Sequence, residues 1–247
     1  MFPLADLLSA YSSSDFFGKA IVLIQLAASV IAMGYAIGHW INLKRDEALV
    51  HSFRRYFAKM HTVADYYFTH SPGRNPLVAI YFPATERLLG EIAAQSGAAP
   101  RTAAETAGHA VPQSSFDLVK GVAEEALALQ NHRVERGMNY LGAVTTLAPF
   151  LGLLGTVLGV MGAFQNMGSQ GAVNLATVAP YLSTAMLTTV VGLIVAIPSI
   201  LGYNILVRRI GELQIQFDGF TDEYLGRVRS EFCDRVAQPQ PEPPAAL

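Results

Sequence analysis

The chain has one cysteine, Cys233, which excludes an intramolecular disulfide and a cysteine-built metal site. It also lacks a basic excess. Seventeen Lys and Arg against 19 Asp and Glu leave a net charge of −2 and an isoelectric point near 6.3, so no basic face accumulates and no nucleic-acid partner is expected. The histidines, His39, His51, His61, His70, His109 and His132, show no metal spacing and no nucleophile constellation. An enzyme, a metal site and a bound cofactor are therefore not expected. The most informative absence is formal charge: from Gly137 to Val207 there is no Asp, Glu, Lys, Arg or His, in a chain that is 15% charged overall.

What fills that uncharged run is apolar. As one helix, at about 1.5 Å per residue, it would reach about 105 Å, against a hydrocarbon core of about 30 Å, so it must turn back. The cluster Asn166-Met-Gly168-Ser169-Gln170-Gly171 is the expected turn. This places a second membrane helix at 137–165, a loop at 166–174 and a third helix at 175–207. A first span is expected at 17–41, where apolar residues run on until they meet Lys44 and Arg45. A signal peptide fits that segment less well, because the run is long and no A-x-A cleavage pattern follows it.

Sidedness follows from the basic residues. Lys19 stands alone ahead of residue 44, whereas the remaining Lys and Arg lie between residues 44 and 136 or after residue 207. Three spans put both basic regions on one side, so the positive-inside rule predicts a periplasmic N-terminus at 1–16 and a cytoplasmic C-terminus. The cytoplasmic region 42–136 reads as helical. One helix is expected from Ala48 to His70, ended by "SPGRNP". Another is expected from Leu77 to Gln95 with Pro83 as an interruption, then a loop from Gly97 to Gln113. A further helix is expected from Ser114 or Ser115, with Asp117 as the acidic residue of a capping pattern, running unbroken into the second span. After it, Ile210, Leu213, Phe217, Phe220, Tyr224 and Val228 alternate by three and four in a cytoplasmic helix at 208–236. That face suits either the chain's own cytoplasmic helices or a seam between subunits. The proline-rich tail 237–247 is expected to be disordered.

The second span carries small residues at Thr145, Pro149, Gly152, Thr156, Gly159 and Ala163, and the third at Ala185, Thr189, Gly192, Ala196 and Ser199. Each set forms one stripe down a helix. In lipid, small residues let backbones approach, which gives Gly152, Gly155, Gly159, Gly162 and Gly192 a packing role. Pro149, Pro180 and Pro198 are candidate kinks. A threonine in a membrane helix can satisfy its hydroxyl on the preceding turn. As a cluster, however, Thr145, Thr156, Thr184, Thr188 and Thr189 make a mildly polar patch suited to water or an ion. Intramembrane ion paths normally need an ionisable group, and these two spans have none. Either no ion moves, or another chain brings the carboxylate.

The pieces "APFLGLLGTVLGVMGAF" and "NLATVAPYLSTAMLTTVVGLIVAIPSILGYNIL" resemble the ExbB/TolQ branch of the MotA/TolQ/ExbB family. The resemblance is strong over residues 137–210 and extends to the rest by topology. It implies a homopentameric ring around a dimer of a single-span ExbD/TolR-like subunit whose membrane aspartate carries the proton. It also implies a TonB/TolA-like protein that transmits the resulting motion to the outer membrane. By position, Thr156 and Thr189 match the family's pore-facing threonines. One departure is clear: in "APYLSTAMLTT", Thr184 stands where the family usually has a glutamate, which opens a hydroxyl-rich, Na⁺-driven variant beside the H⁺-driven one.

The expected fold is therefore an all-α membrane protein of three transmembrane helices with long cytoplasmic extensions, lodged in lipid of the cell inner membrane. Its expected role is the ring subunit of an ion-driven motor. A non-conducting membrane scaffold is the alternative, and a transporter permease subunit is less well matched because no internal repeat or intramembrane charge marks a substrate site.

Overall fold

The computed structural model describes residues 11–12, 16–106, 109–170 and 175–234. Most of the expected N-terminal segment 1–16, the end of the loop at 166–174 and the tail 237–247 lie outside the described residues. The described residues are helical, without strands. The helices are α1 (Phe16–Phe57), α2 (Asp65–Thr69), α3 (Pro76–Ser96), α4 (Ala103–Thr106), α5 (Gln113–Glu135), α6 (Met138–Gln170) and α7 (Leu175–Val228), with a turn of π-helix at Arg229–Cys233. Three helical stretches are long and apolar enough to cross a membrane, Phe16–Phe57, Gln113–Gly168 and Val178–Cys233.

The chain divides into two compact units. The first is Met1–Ile41 with Arg136–Arg208, and the second is Asn42–Glu135 with Arg209–Leu247. In the first unit the usual size order is inverted. Large side chains such as Leu23, Ile31, Phe150, Leu153, Val157, Ile194 and Leu201 are exposed, while Ala148, Ala163, Ala185 and Ala196 are buried. A water-soluble bundle would bury the large residues. Here the outward leucines and isoleucines suit lipid, and the small residues bring helix backbones together.

The second unit has an aromatic core. Phe53 and Phe57 of α1, Tyr66 of α2, Tyr81 of α3, and Phe220 and Tyr224 of α7 meet edge to face or tilted, at centroid separations of 5.0 to 6.4 Å. The Tyr224 hydroxyl lies 3.1 Å from the Thr85 hydroxyl, and the Tyr81 hydroxyl donates to the Val63 carbonyl. Ile210, Leu213, Phe217, Phe220, Tyr224 and Val228 are all buried within this unit. Of the two uses the sequence left open for that face, packing on the chain's own helices accounts for its burial.

Several local expectations change. The helix expected over Ala48–His70 is instead broken after Phe57. The Asp65 carboxylate accepts from the His61 and Thr62 amides at 3.1 and 2.9 Å, and Arg227 donates to the Phe57 carbonyl at 2.9 Å. These contacts satisfy backbone groups that a continuous helix would have paired internally. Helix α3 begins where Asn75 accepts from the Leu77 amide at 2.9 Å ahead of Pro76, and ends at Gly97 in the left-handed region, φ 74°. It passes through Pro83 without interruption. In the stretch expected to be a loop, α4 forms a single short turn. Helix α5 starts at Gln113, one residue ahead of the expected cap. Asp117, the acidic residue of the expected capping pattern with Ser114, accepts from the Gln113 carboxamide at 3.2 Å, and the neighbouring Ser115 hydroxyl donates to Glu91 at 2.7 Å. Gly137, φ 83°, separates α5 from α6, where an unbroken helix was expected. Helix α6 continues through Asn166–Gln170, where the turn was expected, and Gly171 lies outside the described residues.

Candidate functional site in the membrane helices

Helices α6 and α7 touch backbone to backbone along the two small-residue stripes. A Cβ added to Gly152 would lie 3.0 Å from the Thr188 carbonyl oxygen and 3.0 Å from the Thr189 Cα. At Gly159 it would lie 2.7 Å from the Ala185 Cβ, and at Gly192 2.8 Å from the Ala148 carbonyl oxygen. At Gly155 it would overlap the Thr188 side chain. An added Cβ at any of these four positions would force its neighbour to shift, so glycine is what permits the present separation. Gly162 is half-buried and lines a cavity described below. Pro149 lies within α6, and Pro180 and Pro198 within α7; both helices continue through them.

Close approach exposes the Gly152 carbonyl to the opposite helix. The hydroxyls of Thr189 and Thr188 reach it at 3.0 and 3.3 Å, and Thr188 also donates to Ala185 at 2.7 Å in its own helix. The other candidate hydroxyls stay within their helices: Thr145 bonds to Gly142 at 2.7 Å, Thr156 to Leu153 at 2.6 Å and Thr184 to Pro180 at 3.0 Å. The structure thus brings Thr188 and Thr189 together on one carbonyl. It leaves Thr145, Thr156 and Thr184 outside that hydrogen-bonded cluster. Thr188 and Thr184 are buried, whereas Thr145, Thr156 and Thr189 are partly exposed.

One site residue escaped the sequence reading. Gln25, in the first span, is 1% exposed, and its Nε2 donates to the Ala148 carbonyl at 3.2 Å while packing on Gly192. Its signal in the sequence was a carboxamide set inside the apolar run "IVLIQLAAS". It ties α1 to the same cluster as Gly152, Thr188, Thr189 and Gly192.

Next to the cluster, α1, α6 and α7 line an open pocket of about 620 Å³ near Phe16, with Gly18 and Ile21 from α1, Gly155, Gly159 and Gly162 from α6, and Tyr181 and Thr184 from α7 among its walls. The cluster itself contains hydroxyls, carbonyls and a carboxamide. Because the threonine protons are committed to backbone carbonyls, what the hydroxyl oxygens have left to offer is lone pairs. Such a site can accept a hydrogen bond from a neutral acid or a water. It cannot take up and release a proton itself.

The profile of the MotA/TolQ/ExbB proton channel family matches residues 94–219, just over half of the chain. The chain belongs to this family. Among similar proteins, the biopolymer transport protein ExbB of Salmonella typhimurium is 41% identical over 88 residues, 36% of each chain. The Tol-Pal system protein TolQ of Haemophilus influenzae is 31% identical over 116 residues, 46% of this chain and 51% of the relative. ExbB of Xanthomonas campestris is 31% identical over 123 residues, 50% of this chain and 49% of the relative. The chain thus spans between a third and a half of the length of these relatives, and they place it with the ExbB/TolQ branch.

Proposed function

We propose that this protein is the ring subunit of a proton-driven inner-membrane motor of ExbB/TolQ type, with its N-terminus in the periplasm and its C-terminus in the cytoplasm. Five copies surround a dimer of a single-span ExbD/TolR-like protein, and the assembly drives a TonB/TolA-like protein that acts on the outer membrane. The observation that carries this reading is the uncharged threonine–glycine seam of α6 and α7, built to accept hydrogen bonds yet without any group that titrates. A proton path with that lining needs its acid from a companion chain, and the family to which the chain belongs gives that acid a natural source.

In this mechanism the companion's aspartate alternates between a charged and a neutral form as the inner dimer turns. Thr156 and Thr189 face the path, and Thr189, held on the Gly152 carbonyl, offers its oxygen to the neutral acid. Each proton crossing about 150 mV releases roughly 3.5 kcal/mol from the electrical term, enough to bias a rotation step. Replacing Thr156 by Val is expected to leave the ring assembled with its companion but to abolish gradient-dependent work. Full activity in that variant would remove Thr156 from the path.

A non-conducting scaffold is the second reading, favoured by the hydroxyls of Thr145, Thr156 and Thr184, which are satisfied within their own helices. Proton uptake by reconstituted vesicles separates the two: a motor complex acidifies on imposing a gradient, and a scaffold does not. A sodium-driven motor, suggested by Thr184 in place of a glutamate, would show the same transport only when Na⁺ is supplied.

A further inference from the structure

The Gln25 carboxamide has one oxygen with no hydrogen-bond partner among the described residues, although the side chain is 1% exposed. The orientation of the amide is dictated by its neighbour. Ala148 offers a carbonyl, which accepts only, so the nitrogen must point there and the oxygen elsewhere. A buried carbonyl oxygen without a donor is destabilising, and the described residues supply none: Ala148 and Gly152 present carbonyls, and the Thr188 and Thr189 protons are already committed to carbonyls.

A donor can arrive from the cavity. Its wall includes Ile21, one turn ahead of Gln25 on the same face of α1, as well as Gly155 and Thr184. Thr188 lies one turn beyond Thr184 on α7, and its side chain packs against Gly155. Gln25, Gly152 and Thr188 therefore form the next layer down, about 5.4 Å further along the helices. At about 620 Å³ the pocket has room for many waters, each needing about 30 Å³.

We propose that Gln25 holds water at the inner end of an aqueous access path that enters the protomer through this cavity. The water donates to the Gln25 oxygen and accepts from neighbouring water toward Thr184. A carboxamide suits this position because it orients water through a neutral dipole and does not trap a charge. The path runs inside one protomer, among α1, α6 and α7, and its existence does not rest on the motor reading.

The test uses the full-length protein in lipid nanodiscs, with Cys233→Ser removing the native thiol. Silver ion, which reacts with thiolates formed only where water reaches, probes Ala148→Cys beside Gln25 and Ala32→Cys on the same helix. Both native alanines are buried, at 4% and 1% exposure. Ala148→Cys is expected to react at least tenfold faster than Ala32→Cys, and the added substitution Gln25→Leu is expected to abolish that difference. Equal inertness of the two cysteines, or a rate at residue 148 that ignores Gln25→Leu, overturns the proposal. Should Gln25→Leu fail to assemble, the unbranched Gln25→Met takes its place. A cryo-EM map of the unsubstituted protein gives an independent reading: density within hydrogen-bond distance of the Gln25 oxygen supports the site, and a dry, well-resolved oxygen refutes it.

Discussion

Gly152→Ala is the substitution for which the structure gives the most definite expectation. The new methyl carbon would stand 3.0 Å from the Thr188 carbonyl oxygen and 3.0 Å from the Thr189 Cα. Both are backbone atoms in the middle of α7, so no rotamer change relieves the overlap. Relieving the overlap means parting α6 from α7 by a few tenths of an ångström. That displacement lengthens and weakens the Thr189 and Thr188 bonds to the Gly152 carbonyl, now 3.0 and 3.3 Å. Overpacking of this kind costs about 1 to 3 kcal/mol, and each interhelical hydrogen bond in a membrane adds about 0.6 kcal/mol. Alanine returns about 0.4 to 1 kcal/mol by restricting the unfolded chain. The net expectation is a loss of about 1 to 4 kcal/mol. Unfolding in mild detergent, followed by helical circular dichroism, measures it, with Gly202→Ala as the matched control because nothing lies within 4 Å of an added Cβ there. Coupling is checked by combining Gly152→Ala with Thr189→Val, whose effects are expected to be less than additive because both remove the same bond. If Gly152→Ala proves as stable as Gly202→Ala, the backbone contact between α6 and α7 is not as drawn.

Other expectations concern the second unit and the Gly137 junction. Burial pushes the phenols of Tyr81 and Tyr224 well above their ordinary range. Their neutral form therefore stabilises the fold fully below the unfolded value of about 10, and that stability is lost as the pH rises above it. A urea titration at increasing alkaline pH checks this, and Tyr224→Phe is expected to soften the alkaline loss. At neutral pH the same variant should cost about 1 to 3 kcal/mol, since it strips the partner from the buried Thr85 hydroxyl. Arg227 lies 4.5 Å over the Phe57 ring, donates to the Phe57 carbonyl at 2.9 Å and pairs with Glu223 at 3.4 Å. Arg227→Lys keeps the charge but not the fork, and is expected to cost about 1 kcal/mol in the same unfolding assay. Gly137→Ala combines a left-handed φ of 83° with a clash against the Tyr35 ring, and should lower the thermal midpoint, whereas Gly90→Ala, in open space on α3, should not.

The membrane character of this protein was legible from composition, because an uncharged run of that length has no other stable solvent. The stripes were legible too, since 3.6 residues per turn places Gly152, Gly159 and Gly192 on faces without reference to any partner. Pattern also marked the apolar face from Ile210 to Val228, but it could not choose between partners; the aromatic rings of Phe53, Phe57 and Tyr81 did that. The end of α1 was invisible in sequence for a related reason. Nothing in "RRYFAKMHTVADYYF" breaks a helix strongly, and the contacts that close it at Phe57 and pin Val63 come from Arg227 and Glu231, far along the chain.

Among the threonines, sequence supplied the group and the fold supplied the distinction. Every one of them can bond one turn back, and only the separation of α6 and α7 decides that Thr188 and Thr189 also reach Gly152 while Thr145, Thr156 and Thr184 do not. Gln25 was read as part of an apolar span, because a hydropathy pattern averages one carboxamide away. Local chemistry and periodicity are properties of the chain alone and determine which residues form helices and which faces are small. Which oxygen meets which donor across two or three helices depends on distances of a few ångströms, and those are decided only when the helices pack.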